Sequence, residues 1–195
     1  MKVKIKKWLP DTIPLSELSR IFTEFYCGKP WNEYLCCPVC KPLNDFGPLH
    51  TYGRDECTTK MLGSCPQCGS LLVPFWSEDR LRKYIFEINE IGEVIFIDNE
   101  PAAWWRGRMI DSGKTLYLDV IAILPKFRQL PFREKIIDYF RKEINRYHRK
   151  KGVDRFLSRT HKKAIHVRLF LKIFGFIEAE DSHDDPERSY WVINF

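Results

Sequence analysis

The sequence predicts an α/β fold of the α+β type, in which a mixed and mostly antiparallel sheet is flanked by helices. Short apolar segments separated by turn residues follow one another over residues 93–124, which is typical of antiparallel hairpins. A long amphipathic helix and a further apolar segment come next, so the helix is predicted to connect two parallel strands. The chain has 195 residues, of which 44% are hydrophobic, enough for a single domain over residues 1–195.

The N-terminal region predicts one strand and then a helix. Lysine alternates with apolar residues over residues 2–7, as in a half-exposed strand. Apolar residues recur at helical spacing over residues 15–26 and again over residues 77–89. These two segments are the predicted first and second helices.

Two Cys-Pro-x-Cys motifs are the most specific chemical signal in the chain. They contribute Cys37, Cys40, Cys65 and Cys68, with 24 residues between the motifs. Four thiolates at this spacing predict a zinc ribbon over residues 35–75, inserted between the first and second helices. Four protein ligands leave Zn²⁺ no open position, so its predicted role is structural. A pair of disulfide bonds is the alternative, which a cytoplasmic location disfavours.

The remaining candidate ligands of the ribbon are less clearly patterned. Cys36 adjoins Cys37 and could replace it as a ligand, although the repeated motif favours Cys37. Cys57 and His50 lie between the two motifs with no partner at ligand spacing, and they are interpreted as bystanders.

Three successive strands are predicted to form a meander. They cover residues 93–97, 102–109 and 116–124, with turns at 98–101 and 111–114. The third strand carries one charged residue among nine, so it is predicted to lie in the interior of the sheet.

A helix is predicted to follow the third strand after a short basic turn. Pro131 is predicted at its first position, and Gly152 ends it. Arg128 and Arg133 lie at its N-terminus, where unpaired N–H groups, the helix dipole and the guanidinium groups all favour a phosphate. The apolar face of this helix consists of Phe132, Ile136, Ile137, Phe140, Ile144 and Tyr147. A short strand parallel to the third one is predicted at 153–157, and a terminal antiparallel pair at 176–179 and 190–194.

The strand, turn and helix resemble those of the GNAT superfamily of acyl-CoA-dependent N-acetyltransferases. In that family the fourth strand leads into an Arg/Gln-x-x-Gly-x-Gly/Ala turn that binds the pyrophosphate of coenzyme A, and residues 128–133 occupy this turn here. Pro131 stands at the first glycine, and Arg133 replaces the small residue. A second family segment, an apolar helix closing on Gly-Phe, is matched by residues 167–176, with Leu171 at the position of the family's frequent tyrosine acid.

The resemblance implies a binding site for acetyl-CoA as co-substrate. In GNAT proteins the fourth strand and its parallel neighbour splay apart, and the pantetheine arm pairs with the backbone of the fourth strand. The residues implied to bind the cofactor are Ile121, Ala122, Ile123, Arg128, Gln129, Leu130, Phe132 and Arg133.

Acetyl transfer to an amine needs a proton acceptor, an oxyanion donor and a route for protonating the thiolate. Asp119 is the only acid of the third strand and is the candidate general base, because burial would raise its pKa towards a useful range. The alternative is a structural or solvent-facing Asp119. Tyr117 shares a strand face with Asp119 and is the candidate acid in place of Leu171, with water as the alternative.

The charge distribution predicts anionic partners. The formal net charge is +6, and residues 126–172 contain sixteen Lys or Arg against four Asp or Glu. Such a region attracts anions, from the phosphates of coenzyme A to nucleic acid, although a solvated helix face explains it equally well. The N-terminus shows no signal-peptide pattern and no segment reaches membrane-spanning length, so a cytoplasmic protein without membrane association is predicted.

Three functional hypotheses follow. The leading one is an acetyl-CoA-dependent N-acetyltransferase that acts on a primary amine and contains a structural zinc ribbon. A second is a GNAT-like nucleic-acid modification enzyme of the phage Mom type, which alters the exocyclic amine of adenine. A third is a non-catalytic GNAT scaffold that binds a partner, suggested by Pro131, Arg133 and Leu171.

Overall fold

The computed structural model describes residues 2–7, 13–40, 50–86, 90–179 and 186–195. Its contacts divide the chain into two units, one formed by Met1–Thr12 with Asn89–Phe195 and the other by Ile13–Ile88. In chain order the elements are β1 (Val3–Lys7), α1 (Leu15–Tyr26), β2 (Leu35–Cys36), β3 (Thr51–Tyr52), α2 (Arg54–Thr59), β4 (Val73–Pro74), α3 (Glu78–Phe86), β5 (Glu90–Ile97), β6 (Glu100–Ile110), β7 (Thr115–Ile123), α4 (Phe132–Lys151), β8 (Arg155–His161), α5 (Ile165–Ile173), β9 (Ile177–Glu178) and β10 (Arg188–Asn194).

The first unit contains a seven-stranded sheet with the strand order β1-β5-β6-β7-β8-β10-β9. All its pairings are antiparallel except that of β7 with β8, which is parallel. The 20-residue helix α4 is the crossover between these two strands. The predicted class, a mixed and mostly antiparallel sheet flanked by helices, is therefore confirmed.

The β5–β6 hairpin is tighter than predicted. Its turn consists of Asp98 and Asn99, whose φ angles of 50° and 69° are both left-handed, as a two-residue type I′ turn requires. Strand β6 therefore begins at Glu100, within the segment 98–101 that was predicted to be turn.

Helix α4 packs an apolar stripe against one face of the sheet. Ile136, Ile137 and Phe140 are buried, as the helical spacing predicts. The prediction that Pro131 opens the helix was wrong by one position, because Pro131 is the N-cap, with φ −90° and ψ 1°. Gly152 ends the helix in the left-handed conformation, with φ 68°, which glycine adopts without a steric penalty.

Strand β8 runs further than the predicted segment 153–157. It pairs with β10 along its whole length, from Arg155 with Asn194 to His161 with Arg188. Its second half is polar in sequence, yet Ser158 and Thr160 are buried, so hydrophobic patterning alone could not reveal it.

The second unit combines helices with a small sheet. Helix α1 matches the predicted segment and buries Leu18, Ile21 and Phe22. Phe22 lies edge-on against Trp76, with 4.8 Å between ring centroids. Strands β3, β2 and β4 form a three-stranded antiparallel sheet. Helix α3 starts within the predicted second helix, whose last residues, 87–89, lie outside the described part of the chain.

Within the ranges described above, no helix combines the length and the apolar character needed to cross a membrane.

Candidate functional site

The parallel pair β7–β8 opens in the middle of the sheet. Four residue pairs join the two strands, and the last is Leu118 with Ser158. Both strands continue beyond this point, β7 to Ile123 and β8 to His161. Ser158 Oγ donates a hydrogen bond to the carbonyl oxygen of Leu118 at 3.3 Å and so closes the paired part. Residues 120–123 then keep β6 as their partner on one edge, and the other edge of residues 119–123 is available to an extended ligand.

A β-bulge in β7 lies at the same point. Arg106 of β6 is opposite Val120 and Gly107 is opposite Leu118, so Asp119 is the additional residue. A Cβ atom at Gly107 would lie 2.4 Å from the carbonyl oxygen of Tyr117, which means that the close approach of the two backbones requires glycine here. Bulges re-aim side chains, and this one sets the direction of Asp119.

Asp119 has the environment of a proton acceptor. Its side chain is half-buried, and Oδ2 is a buried atom that has no hydrogen-bond partner in the described ranges. Burial raises the pKa of this carboxyl above its ordinary value, and the charges of Arg108 and Arg106 oppose the shift. A carboxylate of raised pKa accepts a proton more readily than an ordinary one.

Tyr117 lies two residues before Asp119 on β7 and is half-buried. Burial raises the pKa of its hydroxyl, and the negative charge of Asp119 adds to the rise. The guanidinium carbon of Arg108 lies 5.3 Å from the centre of its ring. The hydroxyl therefore stays protonated at neutral pH and can donate a proton.

The predicted phosphate-binding residues cluster where β7 gives way to α4. Nε of Arg128 donates a hydrogen bond to the carbonyl oxygen of Ile123 at 3.0 Å, and burial lowers the pKa of this guanidinium. Backbone N–H of Arg133 is bonded to the carbonyl of Gln129 at 3.0 Å. In the described ranges, no backbone acceptor takes the N–H groups of Gln129, Leu130 and Phe132. This turn therefore offers donors to an anion despite the proline that interrupts it.

An apolar cavity lies between the sheet, helix α4 and the residues that follow α5. Its lining includes Leu118 and Ile121 of β7, Trp105 of β6, Phe140 of α4 and Phe174 beyond α5. Leu118 and Ile121 face the same side although three residues separate them, because the bulge shifts the alternation of side chains. Sequence reasoning missed this cavity because it treated β7 as a regular strand.

Leu171 is fully buried in α5, with 0% exposure. The position where the GNAT family often has a tyrosine acid is therefore part of the hydrophobic core in this chain. Leu171 has no group that could donate a proton.

The sulfur atoms of Cys37, Cys40, Cys65 and Cys68 lie within 4.8 Å of one another. Cys37 Sγ is 3.5 Å from Cys68 Sγ, and Cys40 Sγ is 3.7 Å from Cys65 Sγ. Both distances are too long for a disulfide bond. Four sulfurs bound tetrahedrally to Zn²⁺ at about 2.3 Å would be separated by about 3.8 Å, so the cluster fits such an ion.

Hydrogen bonds to the sulfurs add to this fit. The hydroxyl of Tyr52 lies 3.5 Å from Cys65 Sγ, and its hydrogen bond is the main cause that lowers the pKa of Cys65 to about 6. Backbone N–H of Cys40 donates to Cys37 Sγ at 3.3 Å. The neighbouring Cys36 is a buried residue of β2 outside the cluster, and Cys57 is buried in α2.

No protein-family model matches the sequence, and no curated protein matches it either. Solved structures do match. The PaiA N-acetyltransferase from Thermoplasma acidophilum, in complex with coenzyme A, is 12% identical with a TM-score of 0.60, and the match covers 100% of both chains. RimL, a ribosomal L7/L12 alpha-N-protein acetyltransferase in complex with coenzyme A, is 12% identical with a TM-score of 0.60, covering 100% of this chain and 95% of that one.

A third structure, an acetyltransferase from Streptococcus agalactiae 2603, is 15% identical with a TM-score of 0.56, and the match covers 99% of this chain and 98% of that one. At such low identities a structural likeness establishes the fold and nothing more. The chain therefore has the fold of the GNAT acetyltransferases.

Proposed function

We propose that the protein is an N-acetyltransferase that moves the acetyl group of acetyl-CoA to a primary amine by direct attack. The observation that carries the proposal is the coincidence of an open strand edge with a bulged, half-buried acid. Residues 119–123 have an unpaired edge beside β8, and Asp119 lies at the start of it with an unpartnered buried oxygen. An amide-containing ligand on that edge would bring its reactive end close to a proton acceptor.

Acetyl-CoA would bind along β7 and over the turn that follows it. The pantetheine amides would pair with the backbone of Ile121, Ala122 and Ile123, while the pyrophosphate would bind at Arg128, Arg133 and the N–H groups of the turn. Helix N-termini and guanidinium groups both favour phosphate. The coenzyme A complexes of PaiA and RimL share this fold, which supports the choice of cofactor.

The reaction then needs three functions from the chain. Asp119 would accept a proton from the ammonium group of the acceptor, which frees the nitrogen lone pair to attack the thioester carbonyl. A backbone N–H near Ile121 would stabilise the oxyanion that develops. Collapse of the tetrahedral intermediate expels the thiolate of coenzyme A, which Tyr117 or a water molecule would protonate.

The four clustered cysteines would hold a structural Zn²⁺ ion. Small units of this kind depend on the metal for much of their folding energy. Four thiolates complete the coordination of the ion, and the Sγ–Sγ distances of 3.5 Å between Cys37 and Cys68 and 3.7 Å between Cys40 and Cys65 support that arrangement. We propose a cytoplasmic location for such a zinc protein, as the sequence predicts.

Two observations favour a non-catalytic scaffold as the second candidate. Leu171 is buried at the position of the family acid, and Pro131 at the N-cap of α4 cannot donate an N–H group.

An enzyme that modifies nucleic acid is a further candidate, supported by the basic composition of residues 126–172. Binding to nucleic acid that weakens steeply with salt would favour it.

Calorimetric titration with acetyl-CoA tests the cofactor site. We expect binding at micromolar concentration, weakened at least about 100-fold by Arg128→Ala with Arg133→Ala, because each charge-assisted hydrogen bond contributes about 1.5–3 kcal/mol. The matched control replaces Lys150 and Lys151 with alanine at the opposite end of α4, about 30 Å away. Absence of binding in the folded wild type would contradict the proposal and favour the scaffold.

A further inference from the structure

Helix α5 exposes an apolar stripe on the side opposite its buried residues. Ile165, Leu169 and Ile173 are 62%, 54% and 44% exposed, and their spacing of four residues places them on one face of the helix. Leu171 and Phe174, on the other face, are buried. We name Ile165, Leu169 and Ile173 the α5 stripe.

The stripe is more than a scatter of single exposed residues. Exposed apolar side chains that occur one at a time are ordinary, but here three occupy successive turns of one helix and form a continuous strip. Ile177, in the edge strand β9 that follows α5, is also 63% exposed. An apolar strip of this kind gains stabilisation only when another surface covers it, which indicates a contact with a partner.

Basic residues accompany the stripe. Residues 162–173 contain four Lys or Arg and no Asp or Glu. Two of these four cations have acidic partners, since Arg168 forms an ion pair with Glu178 at 3.0 Å and Lys163 lies 3.9 Å from Glu187. The charge that is available to a partner therefore comes from the other two.

Lys162 and Lys172 are exposed, and neither forms an ion pair within the part of the chain that the structure describes. Lys172 lies one turn beyond Leu169 on the same helix. Arg141 of α4 is exposed as well, and its Nη2 donates a hydrogen bond to the carbonyl oxygen of Ile173 at 3.4 Å. Cations thus lie near both ends of the stripe.

Size and charge together select the kind of surface that could cover the stripe. Its side chains expose roughly 300 Å² of apolar surface, against about 800 Å² from each partner in a stable protein interface. A second copy of the chain is disfavoured further, because a symmetric contact would bring the basic residues together. Nucleic acid would match the charges but leave the apolar residues uncovered. An anionic lipid surface matches both, since it takes up apolar side chains and attracts Lys and Arg.

We propose that the α5 stripe binds the surface of an anionic phospholipid membrane. Its apolar side chains would insert at the boundary of headgroups and acyl chains, and Lys162, Lys172 and Arg141 would contact the headgroups. Peripheral binding of this kind needs no membrane-spanning helix. The stripe lies outside the residues assigned to acetyl transfer, so membrane binding does not depend on that function.

Co-sedimentation of the whole chain with vesicles tests the proposal. Vesicles of phosphatidylcholine alone are compared with vesicles that contain about 30% phosphatidylserine, at about 0.1 M and about 0.5 M salt. We expect binding to the anionic vesicles to be at least about 10-fold tighter, because each basic residue near such a surface contributes about 5-fold in affinity. The higher salt concentration should weaken this binding.

Two double variants separate the apolar contribution from the charged one. Leu169→Gln with Ile173→Gln and, separately, Lys162→Gln with Lys172→Gln should each weaken binding to the anionic vesicles at least about 10-fold. Ile5→Gln is the matched control, because Ile5 is 48% exposed in β1, at the opposite edge of the sheet from β9, and it should retain wild-type binding. Circular dichroism verifies that each variant is folded.

Three results would overturn the proposal. The first is an absence of wild-type protein from the pelleted anionic vesicles. The second is binding that the lysine variant loses and the apolar variant keeps, since basic residues alone would then account for it. The third is a dimer, observed by analytical ultracentrifugation without lipid, that Leu169→Gln with Ile173→Gln dissociates, because the stripe would then be covered by a second copy of the chain.

Discussion

Gly107→Ala should destabilise the protein through the bulge that orients Asp119. The Cβ atom of alanine would lie 2.4 Å from the carbonyl oxygen of Tyr117 and 3.2 Å from Cδ1 of Leu116. The leucine side chain can move, but the carbonyl belongs to the backbone of the neighbouring strand. Strands β6 and β7 must therefore separate by several tenths of an ångström or lose the bulge.

The size of the effect follows from the cost of forcing extra atoms into a packed interior, about 1–3 kcal/mol. For a chain of this length, each kcal/mol corresponds to a change in Tm of about 2–4 °C. We therefore expect Gly107→Ala to lower Tm by roughly 2–12 °C in a thermal unfolding experiment followed by circular dichroism. The rate of acetylation should fall by more than the loss of folded protein accounts for, because the direction of the Asp119 carboxylate depends on the same bulge.

Gly28→Ala is the matched control. An added Cβ at Gly28 meets nothing within 4 Å, and its φ is not in the left-handed region, so the change should be neutral or stabilise by about 0.4–1 kcal/mol. Equal Tm values for Gly107→Ala and wild type would refute the close approach of the two strands, and with it the bulge.

Two further predictions concern the candidate acid and the cysteines. Asp119→Asn should lower kcat about 10²–10⁴-fold, measured by thiol release. The affinity for acetyl-CoA, measured by calorimetry, should change little. In the wild type, the acidic limb of the pH profile of kcat should lie above the ordinary pKa range of an aspartate, because burial raises the pKa of Asp119. A pH profile with only a basic limb, or an unaltered kcat in the variant, would show that a group other than Asp119 accepts the proton. Purified protein should contain about one zinc per chain by elemental analysis, and Cys37→Ser should lose it while Cys27→Ser, outside the cluster, retains it; zinc-free wild type that is fully folded would contradict the ribbon.

The raised pKa of Asp119 also makes the free energy of unfolding depend on pH. Since the folded state holds the Asp119 proton more tightly than the unfolded chain does, this residue stabilises the fold below its ordinary pKa, and the contribution is lost as pH rises through the folded value. Asp119→Asn removes that loss, so the variant should gain stability relative to wild type as pH increases towards neutrality.

Most of the fold could be predicted because apolar periodicity and turn residues agree along the chain. Helix α1 coincides with its predicted segment, and the crossover helix between parallel strands follows from connectivity rules. The second half of β8 could not be predicted, since Ser158 and Thr160 are polar in sequence although buried in the sheet. Helix α2 was also missed, because a single buried side chain, that of Cys57, among six residues forms no amphipathic pattern.

The candidate site was predictable only in part. Spacing alone pointed to the four cysteines that the fold brings together, because each motif supplies two sulfurs from one tight turn. The apolar cavity could not be recognised, since its lining comes from strands and a helix that only tertiary packing brings together. One available signal was overlooked: Gly107 inside an otherwise bulky strand is typical of a bulge or a close backbone approach.

The bulge connects the two halves of the proposed chemistry. On one edge of β7 the additional residue, Asp119, interrupts the pairing with β6, and on the other edge the pairing with β8 ends one residue earlier, at Leu118. The added residue also turns Ile121 to the same side as Leu118, towards the apolar cavity, while the charges of Arg108 and Arg106 act on Asp119. A ligand bound along the open edge would thus reach from the apolar cavity to Asp119. Removing the bulge should therefore impair cofactor orientation and proton transfer together. A variant that loses only one of the two would contradict this link.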